Sequence, residues 1–404
     1  NAKNFEDEIF KKCQDLIAQK EVLENISLEK YNIVFDYYSK SKLTKTSIYD
    51  YAIDQILNLY CNNSYYFDSY LYTFTKSYKK SLAVSQKEYN ALQFDTIQNE
   101  KLRTILNLFK YKPSNSNGIT QELERLEYFT KHDIKKPLGY FSLLNELQNR
   151  TNDTLDIQNI LFEKSKFLVN NAHKETCRNC YINALKTCDS ILVFKNKSNM
   201  FTMAENQKNE LLSQSYTMSF EKYIYENQNH RAFISYKNIE NIKISFYKIN
   251  NNQTLNDSIV KSIINSKNIY KQKSYTFTSP KDCFQYSTEI VLPTLELGTY
   301  LIYTENSNNK ENNNYETIKV SNLVAYNYKK DNQYIYEIVN RKTGKPEPNC
   351  KVKLENYEVI SDEFGKAYFS YELYNSLSNQ YNLDLKITKE KDTLLVNDNY
   401  YVPD

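Results

Sequence analysis

Ile242-Lys-Ile-Ser-Phe-Tyr-Lys-Ile249 is the stretch whose reading decides the fold class of the C-terminal half. In an extended chain Ile242, Ile244 and Phe246 fall on one side, and Lys243, Ser245 and Tyr247 on the other. That period of two is the signature of a strand with one face in a core. Working outward, the alternation begins after Tyr225, with Phe233 and Ser235. It continues through Ser274 to Thr278, Ser287 to Leu292, Thr299 to Thr304 and Glu316 to Val320. Leu255 to Ile269 interrupts these runs with Ile259, Ile263 and Ile264 at helical spacing, so a helical insert is expected there.

A second set follows: Asn322 to Tyr328, Tyr334 to Val339, Cys350 to Leu354, Lys366 to Tyr371, Leu383 to Ile387 and Thr393 to Val396. Thr343-Gly-Lys-Pro346 and Asp362-Glu-Phe-Gly365 each place a glycine where the chain has to reverse. Short strands separated by turn residues predict antiparallel sandwiches of about 100 residues each. The expected division is a first sandwich over 225–321 and a second over 322–404.

Upstream the period changes. Phe5, Ile9, Cys13, Leu16 and Ile17 recur at helical steps, as do Ala52, Ile53, Ile56, Leu57 and Tyr60 behind a capping box at Ser47-Ile-Tyr-Asp50. A third stripe, Ile157, Ile160, Leu161 and Leu168, follows Asp156 as the candidate cap. Glycine and proline are nearly absent before 224, and Lys112 to Gly118 is the clearest loop. Residues 1–224 therefore read as a helical bundle or array, which makes the whole a multidomain α plus all-β chain. At 404 residues it is long enough for two or three cores.

Composition excludes more than it selects. The net charge of +3, with Lys and Glu interspersed, argues against nucleic acid as a partner. No stretch approaches the roughly 18 consecutive apolar residues of a membrane span. The chain opens Asn1-Ala-Lys-Asn-Phe-Glu-Asp-Glu8 without an initiator Met or an apolar signal core, as expected of a processed product or excised segment. The 38 Tyr beside no Trp and five Gly suit either a stacking surface or, the preferred reading, the codon usage of an AT-rich genome.

Chemistry-bearing constellations are few. His173, Cys177 and Cys180 fall on one helical stripe with Cys188 further along it. Imidazole and thiolates are zinc ligands, and these four are the candidate metal set. One straight helix presents its groups in a row, however, whereas a tetrahedron needs convergence from two directions. Core packing is thus preferred, with a Cys177–Cys180 disulfide as the other alternative. His132, His173 and His230 are the three histidines. His132 lies in a charged stretch and His230 is expected at an exposed strand edge. No nucleophile elbow, phosphate loop or His-Glu-x-x-His is present, so neither a catalytic residue nor a cofactor site is assigned and the chain reads as a non-enzyme. Asp282, Glu289 and Glu296 offer carboxylates that nothing in the sequence places in one cleft.

Arg231-Ala-Phe-Ile-Ser-Tyr-Lys-Asn-Ile239 with Ile244 to Ile249 resembles the first macroglobulin domain of bacterial alpha-2-macroglobulin-like proteins, especially those of Bacteroidetes. Leu292-Pro-Thr-Leu-Glu-Leu-Gly-Thr-Tyr-Leu-Ile302 resembles that family's late hairpin, and Val320-Ser-Asn-Leu323 its link into the next domain. Arg341 to Pro346, Cys350 to Leu354 and Asp362 to Gly365 resemble the turns and strand of that following domain. The family's bait region, Cys-x-Glu-Gln thioester and Tyr-Arg-Pro-Gly signature are absent from these 404 residues.

The resemblance implies an exported segment, periplasmic or attached at the outer membrane or cell surface, that contributes structure to a protease trap. Its implied partners are other domains of a full-length chain, target proteases or outer-membrane proteins. A second reading is an adhesin or an accessory subunit of an outer-membrane complex, with the helical region as docking face.

Overall fold

The computed structural model describes residues 2–31, 47–63, 65–78, 80–111, 118–132, 139–172, 177–195, 198–250, 255–306, 314–373 and 383–398. Two compact units divide the chain, Asn1–Leu211 and Leu212–Asp404.

The first unit is helical: α1 (Ala2–Ala18), α2 (Lys20–Leu23), α3 (Ile48–Asn63), α4 (Tyr65–Ser77), α5 (Gln86–Asn90), α6 (Glu100–Leu108), α7 (Ile119–His132), α8 (Tyr140–Asn149), α9 (Thr154–Asn171), α10 (Cys180–Leu192) and α11 (Asn199–Leu212). Caps set the starts. The box expected ahead of α3 forms, with the Asp50 amide donating to Ser47 Oγ at 3.0 Å and the Ser47 amide to Asp50 Oδ2 at 3.4 Å. At α9 the cap is Asp153, not Asp156: Asp153 Oδ1 accepts from the amides of Leu155 and Asp156, because it sits ahead of the first turn. Asp156 instead accepts from Thr120 and Thr151. The α1 stripe packs as expected at Ile9, Cys13 and Ile17, joined by Phe10, while Leu16 at its margin is exposed.

Rings dominate this core. Tyr89 is fully buried, stacks on Phe129 at 5.7 Å and donates its hydroxyl to Leu106 O at 2.9 Å. Phe10 meets Tyr60 edge-on at 6.2 Å. Such pairs each contribute about 0.5–1.5 kcal/mol beyond area burial. The largest fully buried side chain is Arg125 on α7. Its guanidinium donates to Gln86 Oε1 (3.1 Å), Leu82 O (3.1 Å) and Val84 O (2.7 Å), and lies 4.4 Å from the Tyr89 ring. It thereby pins the bend at 82–84, ahead of α5, to α7. Burial lowers its pKa to about 10, against the opposing pull of Tyr89 and Glu122.

The helical region ends at Leu212 rather than at 224. Strands β1 (Ser215–Phe220) and β2 (Tyr223–Ile224) lie inside the stretch expected to be helical. Tyr216, Met218 and Phe220 alternate and pack on the first sandwich core, so the period of two begins earlier than the Tyr225 reading. The remaining strands of that sandwich are β3 (Arg231–Lys237), β4 (Asn241–Ile249), β5 (Lys271–Thr276), β6 (Gln285–Val291), β7 (Gly298–Asn306) and β8 (Asn314–Val320). One sheet runs β1-β3-β6 and faces another ordered β2-β8-β7-β4-β5. Ile242, Ile244 and Phe246 enter the core between them, with Ile234, Tyr300 and Ile302. The expected insert forms α12 (Asp257–Asn265), capped by Asn256, whose Oδ1 accepts from the Ile259 amide. Its Val260 covers Tyr247 and Leu301 on the other face of the larger sheet.

The second sandwich comprises β9 (Leu323–Lys330), β10 (Gln333–Asn340), β11 (Lys351–Leu354), β12 (Tyr357–Ile360), β13 (Lys366–Ser370), β14 (Leu383–Lys389) and β15 (Asp392–Asp398). Sheets β13-β10-β9 and β12-β11-β14-β15 enclose Tyr336, Ile338, Val352, Phe369 and Ile387. β12 is a strand that the periodicity does not reveal, because it is a largely exposed edge. Gly365 ends the Asp362 turn at φ +75°, where an added Cβ would stand 2.4 Å from Ile338 O. Asp362 Oδ1 accepts from the amides of Phe364 and Lys366 and sets that turn. The fold is a helical region followed by two antiparallel β-sandwiches.

Candidate functional site

The cysteine stripe separates into two environments. Cys177 and Cys180 form a disulfide, in place of the preferred packing of free thiols. Cys188 is buried a little over two turns along α10, 3.2 Å from Ser165 Oγ and 3.6 Å from Gln207 Oε1. Burial raises its pKa, so it is a packed thiol. His173 and the 112–117 loop lie outside the described residues, as does the charged stretch after His132. Among the described residues no group of three or more His, Cys, Asp or Glu is gathered to hold a metal ion. Asp282 accepts from the Phe284 amide and the Tyr286 hydroxyl, while Glu289 pairs with Arg231 at 2.8 Å.

His230 is buried, not an exposed edge residue. Its Nδ1 lies 3.3 Å from Gln228 O and its Nε2 has no hydrogen-bond partner. Burial lowers its pKa, which keeps the ring neutral. The Leu292 amide donates to His230 O at 3.0 Å, so the pairing of β3 with β6 continues one residue beyond Arg231.

A cavity of about 280 Å³ opens in the helical unit between α3, α7 and the end of α6. Asp50, Asp54, Glu124 and Glu127 line it with Tyr111 and Tyr128, and Lys131 stands at its edge. The polar groups are largely engaged with one another. Tyr111 donates to Asp50 Oδ1 at 2.6 Å and Tyr128 to Asp68 Oδ1 at 2.9 Å. Glu127 is desolvated by burial, yet its bonds to Lys166 (2.6 Å) and Lys131 (3.0 Å) hold its pKa below the ordinary carboxylate value. Cys61 faces the same space, but burial, reinforced by Asp68, pushes its thiol far up. The lining thus offers hydrogen-bond acceptors and rings, and its cysteine is no nucleophile. These residues come from distant segments, and in the sequence only Asp50 stands out, as a cap.

The most elaborate polar arrangement is the joint between the two sandwiches. Only Ser321 and Asn322 separate β8 from β9. The Asn322 amide donates to Asp392 Oδ2 at 2.7 Å, and Asn322 Oδ1 accepts from the Glu226 amide at 3.0 Å. Arg341 donates from Nε to Ser321 O (3.2 Å) and from Nη2 to Leu323 O (3.0 Å). Lys319 of the first sandwich reaches Leu395 O of the second at 3.2 Å. Asp392 is buried, which raises its pKa despite its bond to Ser321.

No protein-family model and no curated protein matches the chain. Among solved structures it is similar, at 12% identity, to native alpha-2-macroglobulin from Escherichia coli spanning domains NIE-MG1, covering 46% of this chain and 97% of that one with a TM-score of 0.35. A structure of the same Escherichia coli protein spanning MG0-NIE-MG1 is 11% identical, with 45% and 64% covered and a TM-score of 0.32. A cryo-EM reconstruction of its native conformation is also 11% identical, with 45% and 13% covered and a TM-score of 0.29. The matched region is thus a small part of the longer relative. No helix among the described residues is long and apolar enough to cross a membrane.

Proposed function

We propose that this chain is a non-catalytic architectural and binding segment of an exported alpha-2-macroglobulin-like protein, and that protease trapping is an activity of a longer chain. The joint between the sandwiches carries the reading. A two-residue connection has too little chain to act as a flexible linker. Its peptide groups are held by Asp392 and Arg341, and the Asn322 side chain accepts from the Glu226 amide. Each such bond contributes about 0.5–1.5 kcal/mol, so the two modules hold a set mutual orientation, as a wall around captured material requires. The ordered resemblance over residues 231 to 365 supplies the family, and its Bacteroidetes affiliation rests on those residues alone.

The test is to incubate the 1–404 chain with active endoproteases and follow cleavage of a large protein substrate. The expected result is unchanged cleavage. Sustained inhibition by 1–404 alone would overturn the placing of the trap outside this segment. Affinity purification of the full-length protein from its native membrane fraction separates this reading from the adhesin or accessory-subunit alternative.

A further inference from the structure

Five of the seven cysteines are single thiols: Cys13, Cys61, Cys188, Cys283 and Cys350. Four are buried and Cys61 is half-buried, and burial raises the pKa of every one. They are poor nucleophiles. The remaining two differ in sequence, position and bonding. Cys177-Arg-Asn-Cys180 is a Cys-x-x-Cys element whose sulfurs are joined, and Cys180 is the first residue of the 13-residue helix α10. The Cys180 amide donates to Cys177 O at 3.2 Å, closing the turn that leads into the helix.

The start of α10 lacks the side-chain cap and the first-turn acid that α9 carries. Asn179 makes no side-chain capping bond, and no acidic residue lies in the first turn. At α9, by contrast, Asp153 caps and Asp156 follows. The positive end of the helix dipole therefore has no carboxylate beside it in the first turn and favours a thiolate there. The two sulfurs also differ in access. Cys177 is half-buried, Arg178 and Asn179 between them are exposed, and Cys180 is 1% exposed. A bond that closes so small a ring removes little entropy from the unfolded chain, so stapling gives only a weak reason for it.

We propose that Cys177 and Cys180 form a redox-active pair that exchanges two electrons with an external dithiol, with Cys177 as the exchanging sulfur and Cys180 as the resolving one. A donor thiolate attacks Cys177 Sγ. The Cys177–Cys180 bond breaks, and its electron pair leaves on Cys180, which takes up a proton. The donor's second thiolate then attacks the donor sulfur of the mixed disulfide and expels Cys177 as a thiolate at the helix N-terminus. The dithiol is oxidised to a disulfide and the protein pair is reduced. In reverse, the Cys177 thiolate attacks a disulfide and Cys180 resolves the adduct.

The experiment uses the whole 404-residue chain and dithiothreitol as the dithiol. After brief treatment under native conditions, iodoacetamide labelling across a pH series is read by peptide mass spectrometry, with circular dichroism monitoring the fold. The expected result is reduction of the pair without loss of helix, followed by Cys177 alkylation about tenfold faster at neutral pH than a thiol of ordinary pKa near 8.5. A Cys180→Ser variant, given oxidised glutathione, is expected to accumulate a mixed disulfide on Cys177; Cys177→Ser is expected to form none on the buried Cys180. A pair that stays oxidised until the chain unfolds, or a Cys177 that labels with an ordinary pH midpoint, would make the bond a structural staple and overturn the proposal. The labelling profile of the wild-type chain decides this even where a variant fails to fold.

Discussion

Replacing Arg125 by Met tests the interior of the helical unit most severely. The two side chains have similar stems, so the change removes the guanidinium while leaving little cavity. Three acceptors lose their donor: Gln86 Oε1, Leu82 O and Val84 O. Each acceptor left unsatisfied in a buried site costs about 1–3 kcal/mol, and Gln86 can turn to relieve its share. The lost contact with the Tyr89 ring, 4.4 Å away, adds about 1–2 kcal/mol. Glu122 still accepts from Arg150 at 2.7 Å and from the Gln86 amide at 2.8 Å, so no carboxylate is stranded. Against these losses stands the desolvation of the cation, whose pKa is pulled down to about 10. The net expectation is about 3–5 kcal/mol, the range for breaking a buried charged network. That is a large share of the roughly 5–15 kcal/mol of a folded domain. Urea unfolding followed by far-ultraviolet circular dichroism reads it, because most of the described helical residues belong to the first unit. Arg125→Lys is expected to recover less than half, since one ammonium cannot replace a fork that spans three acceptors. A Met variant within about 1 kcal/mol of wild type, or a Lys variant equal to it, would refute the clamp.

Gly365→Ala should destabilise the second sandwich by more than about 2 kcal/mol, because a positive φ costs about 1–2 kcal/mol and the added Cβ meets Ile338 O at 2.4 Å. Gly344→Ala, at φ +70° with nothing within 4 Å, should lose only the conformational part; equal losses in hydrogen-exchange protection of β10 would contradict the steric account. Asp392→Ala strands the Asn322 amide and should raise exchange at Ser321 to Leu323 by about tenfold or more, for a loss of about 1–3 kcal/mol, whereas Asp392→Asn retains an acceptor and should do far less. Burial holds the His230 pKa below the usual 6.5, against the opposing pull of Gln228 O and the Glu221 charge. The unfolded chain therefore binds the extra proton first, and stability of the first sandwich should decline as pH falls below about 6.5 and level off beneath the folded pKa. His230→Phe should flatten that decline in thermal melts, and an unchanged slope would assign it to other groups.

The period of two in Ile242 to Phe246 marked a strand with one face in a core, and the turn residues between such runs pointed to antiparallel sandwiches. Local chemistry was equally legible at the Ser47–Asp50 box, the α12 insert and the Gly365 turn, where the partners lie within a few residues. Features that depend on what packs against a segment were not. The edge strand β12 has no buried face to print an alternation, and β1 hides behind the end of a long helix. His230 reads as exposed from its place at a strand start, and the folded chain buries it. The Arg125 clamp, the acid-lined cavity and the Asp392–Asn322 joint join residues tens of positions apart, and composition carries no trace of such pairings. His173 to Cys188 shows the division within one motif. Helical spacing put the sulfurs on a stripe, but spacing on one helix cannot say which thiol meets another and which meets Ser165 and Gln207. Tertiary structure decided that by setting α9 and α11 beside Cys188 and a free turn before Cys180.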